Sequence, residues 1–434
     1  MSKADKMIEF LNKCHSVFHA TALMEEELRE AGFLKLHENE NWKLESNRYY
    51  YVMRNDTSII AFKIPEILQV KSVNIAASHS DSPCLKVKPV AALNDPHYGK
   101  LNVEVYGGAI MSTWVDRPLS IAGRAVVKEN GSLVSKLVDF DENCAIIPNV
   151  AIHQNREINN GYKWNPQVDL IPMVSLKNDE KYLLNKIASQ LNIDHNDIYG
   201  YDMFLYNRVP GYVWGEEGEF ISAGRLDDLA CAYTSLQGFK NAYSPNSINI
   251  FAVFDNEEVG STTRQGMASS FLIDVINRIF ASFFYSAADV SAIMANSFMI
   301  SADNAHAVHP NHPELYDSAN CSYMNQGIVI KRAAAQSYVT DAISEAVIRQ
   351  LCERGNVPFQ FFANRSDVRG GGTQAAISSI HLCSMAVDIG LPQLAMHSAF
   401  ETAGSKDVES MIDLFNEFFS SSIIKSDKTI EIVK

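Results

Sequence analysis

Four apolar, strand-like runs in this 434-residue chain each end in a side chain that can hold a metal ion. SVNIAAS leads into His79, SINIFAVF into Asp255-Asn256-Glu257-Glu258, SFMISA into Asp303, and QLAM into His397. In open α/β sheets, sites gather at the carboxyl ends of the strands. Four separate segments would therefore deliver histidine and carboxylate side chains to one edge of a sheet. Asp227, opening the helical pattern after Gly224-Arg225-Leu226, is a fifth candidate. Two histidines with several carboxylates suit zinc, and a bridging carboxylate lets two metals sit side by side. Alone, each residue is ordinary, since an aspartate at a helix start is usually an N-cap. Five coincident placements outweigh that reading.

Glu257 and Glu258 leave their strand in different directions. One carboxylate can bind metal while the other faces a water as general base. An isolated acidic pair reads as a solvated turn, but the wholly apolar SINIFAVF before this one puts it at the mouth of a buried site. A ligating imidazole needs its other nitrogen fixed, commonly by a carboxylate. Asp81 could do this for His79, or could cap the turn before Pro83. Asp228 reads as an N-cap or surface residue. His306, His309 and His312 recur every three residues, but Pro310 breaks any continuous helix there and argues against a separate metal tract. Gly370-Gly371-Gly372-Thr373 has no lysine in phosphate-loop spacing. It reads as close backbone approach to a ligand or a tight turn before a helix.

The elements that must position these residues follow from periodicity. Residues 4–31 have helical spacing, with Gly32 as a stop. Strand-like runs follow at 49–53, 58–62 and 72–78. From 90 to 219 short β-rich pieces are punctuated by turn signals such as Gly107-Gly108 and Asn130-Gly131, as in a small inserted all-β module. One helix is expected within it, at 178–191. Thereafter helices at 227–243, 262–284, 340–353 and 409–420 alternate with strands at 247–254, 297–302, 328–331 and 393–397. Such alternation predicts an α/β fold with a largely parallel sheet covered by helices. The expected division is a discontinuous catalytic unit, 1–90 and 220–434, around a β-rich insert, 91–219.

Composition narrows the function classes. Hydrophobic residues make up 47% and charged residues 20%, as in a globular protein. The net charge of -14, from 37 basic and 51 acidic residues, disfavours nucleic acid or an anionic membrane as partner. The first residues lack a signal-peptide pattern. The most apolar stretch, 271–302, is interrupted by Asp274, Arg278 and Asp289, which leaves no run of ~18 apolar residues to span a membrane. Seven scattered cysteines without a CxxC pair fit reduced thiols and a cytoplasmic location.

The motifs AASHSDSP, YGGAIMSTWVDRPLSIAGR, IPNVAIHQNRE, GRLDDL, DNEEVGS, ISADNAHAVHPN and QLAMHSAFETAG occur in that order. Through them the chain resembles, over nearly its whole length, the aspartyl aminopeptidase and aminopeptidase I family of dinuclear zinc metallopeptidases. The resemblance implies a zinc-peptidase α/β/α sandwich with a mixed, largely parallel sheet and an inserted β-rich dimerisation or lid domain. It implies two Zn2+ per subunit, with Co2+ or Mn2+ as substitutes, and removal of the first residue from peptides with a free N-terminus. His79, Glu258, Asp303 and His397 would be terminal ligands and Asp227 the bridge. Glu257 would be the general base and acid, and Asp81 would orient His79. His153 would be lent to a neighbouring active site, while Lys331 and Tyr338 would lie near the substrate side chain and the reacting carbonyl. His306 and His309 would shape the site and the assembly, in which dimers build a tetrahedral dodecamer.

One segment departs from the family: NRSDVRGGGTQAA stands where many eukaryotic aspartyl members are Thr-rich. Asp367 and Arg369 in it leave a preference for acidic N-terminal residues open. So does Lys331, which could pair with an acidic substrate side chain or be neutralised by a nearby carboxylate. Two rival readings are a carboxypeptidase or N-acyl amino acid deacylase on the same scaffold, and a noncatalytic assembly protein. The first would need a basic clamp for a substrate carboxylate. The second conflicts with the retention of all five ligands and Glu257.

Overall fold

Ser72–His79 and Ser247–Phe254 are buried along their whole length, so both faces of each strand must be covered. In the structure, a computed structural model that describes residues 1–66, 69–368, 370–373, 382 and 384–434, they pair in parallel at the centre of a nine-stranded sheet. The strand order is Leu34–Leu36, Tyr49–Arg54, Ser58–Lys63, Ser247–Phe254, Ser72–His79, Phe298–Ala302, Met385–Gly390, Ile328–Lys331 and Phe359–Phe362. The four strands from Ser247–Phe254 to Met385–Gly390 run parallel, and antiparallel pairings flank them on both sides.

Successive side chains point to opposite faces, and so the central strands feed two cores. Phe251, Val253, Phe298 and Ile300 pack with helices Lys3–Leu11, Val17–Glu30, Leu226–Asn241, Ala342–Gly355 and Ser405–Phe419. Ile75, Ile250, Ala252 and Met299 pack with Phe271–Ser282 and Ala287–Ala295 on the other face. The result is the expected α/β/α sandwich.

A six-stranded sheet with its own core is drawn from the segment between Cys84 and Asn207. Its strands pair antiparallel, and Leu183 and Ile187 of helix Tyr182–Leu191 pack on Leu85, Ile121 and Leu205. A five-stranded sheet joins Tyr212–Trp214, Phe220–Ala223, Glu401–Gly404, Pro392–Leu394 and Ala305–His306.

Two helices differ from expectation. The single N-terminal helix is two, broken where Asn12 accepts from the Gly211 N–H at 2.6 Å and donates to its carbonyl at 3.2 Å. The helix expected from 262 begins only at Phe271, because Thr263 and Gln265 fold back to donate to Asn256 Oδ1 at 2.8 Å each. The helix expected after Thr373 falls largely outside the described residues, as do Arg369 and Cys383. The six described cysteines are free, and no helix among the described residues is long and apolar enough to cross a membrane.

Candidate metal centre

Three strand ends of the main sheet supply one half of the cluster. His79 is the last residue of Ser72–His79 and lies opposite Phe254 in the parallel register. The chain leaves Phe254 through Asp255 and the left-handed Asn256, and Glu257–Val259 then forms a single tight turn. Asp303 follows Phe298–Ala302. The fourth ligand candidate corrects the expectation of one common edge. Pro392–Leu394 belongs to the five-stranded sheet, and His397 sits in the turn after it with φ 69. Asp227 enters from the start of Leu226–Asn241 with non-helical dihedrals, its peptide bond to Asp228 being cis.

These residues converge. Ligand-competent atoms of His79, Asp227, Asp228 and Asp303 lie within 4.8 Å of one another, as do those of Asp227, Glu258 and His397, and of His79, Glu257 and Glu258. Asp227 belongs to two of these groups. Its Oδ1 is 3.6 Å from His79 Nε2, and its Oδ2 is 3.3 Å from His397 Nε2. Glu258 Oε1 lies 3.3 Å from the same His397 nitrogen. Oδ1 of Asp227, Oδ1 of Asp228 and Oε1 of Glu258 are buried and accept no hydrogen bond from the described residues. Buried carboxylate oxygens without donors are costly. Divalent cations between histidines and carboxylates would satisfy them, so the donor set fits zinc.

Electrostatics agree with that fit. Burial first, then the neighbouring Asp227 charge, pushes Glu258 up to about 9. Burial likewise pushes Glu257 up to about 7. Burial works against the His397 cation, but the hydrogen bond to Asp227 and the charge of Glu258 raise it to about 9. So many buried acids lack counter-charge that they hold protons near neutral pH, which bound cations would displace.

Several neighbours fix the cluster. His79 Nδ1 contacts the Asp81 backbone carbonyl at 3.0 Å, while Asp81 Oδ1 lies 3.5 Å away. The Asp81 carboxylate instead accepts the backbone N–H groups of Glu257 and Glu258, each at 3.1 Å, and the Tyr106 hydroxyl at 2.6 Å. Asp228, expected as an N-cap or surface residue, is fully buried and accepts the His79 N–H at 3.2 Å. Glu401 accepts the Asp227 N–H at 3.1 Å and the His397 N–H at 2.8 Å. Sequence reasoning missed Tyr106 and Glu401, although both lie in quoted motifs, YGGAI and HSAFETAG. Gly108 presents its carbonyl 3.2 Å from His397 Nδ1, and a Cβ there would stand 3.3 Å from that nitrogen.

The remaining candidates are placed as follows. Lys331 is 2% exposed, donates to the carbonyls of Asp303 and Asn304 at 2.7 and 3.3 Å, and lies 3.7 Å from Asp303 Oδ1. Its ammonium is 5.1 Å from the centre of the buried Tyr338 ring. His153 is exposed on the inserted segment and joins none of the ligand groups. Nor do His306, His309 and His312 among the described residues.

The chain is similar to known proteins over almost its whole length. Residues 10–419 match the family described as aminopeptidase I zinc metalloprotease (M18). The "Probable M18 family aminopeptidase 2" of Clostridium acetobutylicum is 43% identical over 425 residues, covering 96% of this chain and 98% of the relative. A chain of the cryo-EM structure of the Ape4 and Nbr1 complex superposes with a TM-score of 0.92 at 32% identity, over 96% of this chain and 85% of that one. The S. cerevisiae mApe1 dodecamer superposes with a TM-score of 0.84 at 27% identity, over 96% of both chains. The chain belongs to the M18 family of aminopeptidase I zinc metalloproteases and is a hydrolase of the exopeptidase class.

Proposed function

We propose that the chain is a two-metal aminopeptidase in which Asp227 bridges the ions. His79 and Asp303 would complete one site, Glu258 and His397 the other. The observation that carries this reading is the Asp227 carboxylate, one oxygen turned to each histidine. When bound, two cations supply the charge that acidifies a water and polarises the scissile carbonyl. Glu257, raised by burial to about 7, accepts the proton of the attacking water and returns it to the departing amine. The Tyr338 hydroxyl, kept neutral by burial, can donate to the developing oxyanion. Lys331 already donates to the backbone carbonyls of Asp303 and Asn304, so it needs no acidic first residue of a substrate as its partner.

The segment 91–219 would act as a dimerisation or lid domain, and its exposed His153 would complete a neighbouring site. The likeness to a dodecameric neighbour supports dimers assembling into a tetrahedral dodecamer. The free cysteines support a cytoplasmic location. The test is release of the first residue from peptides beginning with Asp, Glu, Leu, Met or Lys by the zinc-loaded protein. In Glu257→Gln the rate should fall by about 10²–10⁴-fold at unchanged zinc content. No release from any of these peptides by folded, zinc-loaded protein refutes the reading.

A further inference from the structure

A cavity of ≈ 450 Å³ lies where the six-stranded sheet meets the start of helix Val17–Glu30 and the segment around Arg225. Asp81, Ser82 and Glu401 line it, but none of the five metal-ligand candidates does. It borders the metal centre through Asp81 and Glu401 without holding a ligand candidate, and its size is ordinary for a small-molecule site.

Its walls have donors to spare and acceptors already taken. Trp114 is 3% exposed, and its Nε1 is buried with no acceptor among the described residues. Arg225 Nε is buried and equally unpartnered. The guanidinium donates only a long 3.4 Å bond from Nη2 to the Leu11 carbonyl and forms no ion pair among the described residues. Arg264, exposed at the rim, donates to Asn55 Oδ1 at 3.1 Å and likewise pairs with no carboxylate among the described residues. The carboxylates of the wall are engaged elsewhere. Asp202 holds Lys86 and Arg124 at 2.9 and 3.1 Å, Asp81 holds Tyr106 and two backbone N–H groups, and Glu401 holds Asp227, His397 and Gln393. Asp255 accepts from Asn256 at 2.7 Å.

The buried Arg225 Nε and the buried indole N–H each lose more by lacking an acceptor than a made bond returns. What completes them must bring acceptors and negative charge. A planar carboxylate matches the guanidinium fork, and Phe18, Leu205 and Tyr206 on the same walls suit a short apolar or aromatic body. We propose that this cavity binds a small organic carboxylate, held by Arg225 and Trp114 and guided in by Arg264.

The test uses 4-fluorobenzoate as the probe and follows its ¹⁹F line width with the full-length, zinc-loaded protein. Saturable binding is expected, weakened about tenfold or more in Arg225→Gln by loss of the charged donor. Trp114→Phe keeps an aromatic ring but removes the N–H with part of the indole, so it should weaken binding several-fold even if Arg225→Gln folds poorly. Binding in the cavity also persists after zinc is removed with a chelator. Two results overturn the proposal. One is no saturable binding to the wild type, which leaves ordered water as the partner of these donors. The other is binding that disappears with zinc and is indifferent to both substitutions, which assigns the probe to the metal centre.

Discussion

Glu401→Gln should weaken metal binding without removing any proposed ligand. Glu401 Oε1 faces two donors, the His397 N–H at 2.8 Å and Gln393 Nε2 at 3.2 Å. Oε2 faces one, the Asp227 N–H at 3.1 Å. A glutamine offers one acceptor oxygen, which will settle opposite the pair, leaving its NH2 against the Asp227 N–H. Donor then meets donor in a buried site, and a charge-assisted bond of about 1.5–3 kcal/mol is lost. A loss of roughly 2 kcal/mol at the proposed bridging residue corresponds to metal bound about 30-fold more weakly. Supporting groups around metal ligands typically have effects of this size.

The charge state of Glu401 decides whether this reasoning holds. Burial first, and then the Asp227 charge, push it up to about 8. Yet all three groups facing its oxygens are donors, so a carboxylic acid proton would have no acceptor there, and the geometry selects the anion. Were Glu401 a neutral acid, glutamine would be nearly isosteric and nearly silent. Competition with a chromophoric zinc chelator at neutral pH measures the affinity. The rate at saturating zinc should stay within a few-fold of the wild type, because Glu257 is untouched. A folded Glu401→Gln variant that binds zinc within about threefold of the wild type, under ~0.7 kcal/mol, refutes the reasoning.

Other substitutions probe neighbouring links. Tyr106→Phe removes the 2.6 Å bond to Asp81 and the 2.9 Å bond from Asn256, and should lower kcat about tenfold with zinc content unchanged in a metal assay. Gly108→Ala puts a Cβ 3.3 Å from His397 Nδ1, and should weaken chelator-resistant zinc binding about tenfold by tilting that ring. Lys63 is a stability probe far from the site: it donates to the carbonyls of Lys240 and Ala242, and burial lowers it from 10.5 to about 8. Between those values the unfolded chain binds the extra proton, so this residue's contribution to stability rises with pH through that window and is flat below it. Urea unfolding of wild type and Lys63→Met should show a stability difference that shifts by roughly 3 kcal/mol toward the wild type from pH 7 to 10.5.

The part of the site that lies on the main sheet was legible because its strands are apolar on both faces and end abruptly in polar residues. His79, Asp303 and the Glu257-Glu258 pair could be named from that change of character alone. The rest depends on pairings between distant segments. A strand of three residues such as Pro392–Leu394 carries no local mark of the sheet it will join, so His397 was assigned to the wrong edge. Asp228 looked like a cap because consecutive aspartates at a helix start resemble caps, and only the fold buries it against the His79 N–H.

Glu401 shows what local reading cannot reach. It lies 174 residues from Asp227 in sequence. The five-stranded sheet pairs it with Ala223, four residues before Asp227, and so carries its carboxylate to that residue's N–H. The same sheet ends in the turn that bears His397, and the same carboxylate holds that turn. One half of the cluster is thus set by the main sheet and the other by the small one. Asp227 spans them, reaching toward His79 on one side and His397 on the other. A bridging carboxylate in this position makes the spacing of the two metal sites depend on how the two sheets are docked. Metal affinity should therefore respond to substitutions in the small sheet that touch no proposed ligand.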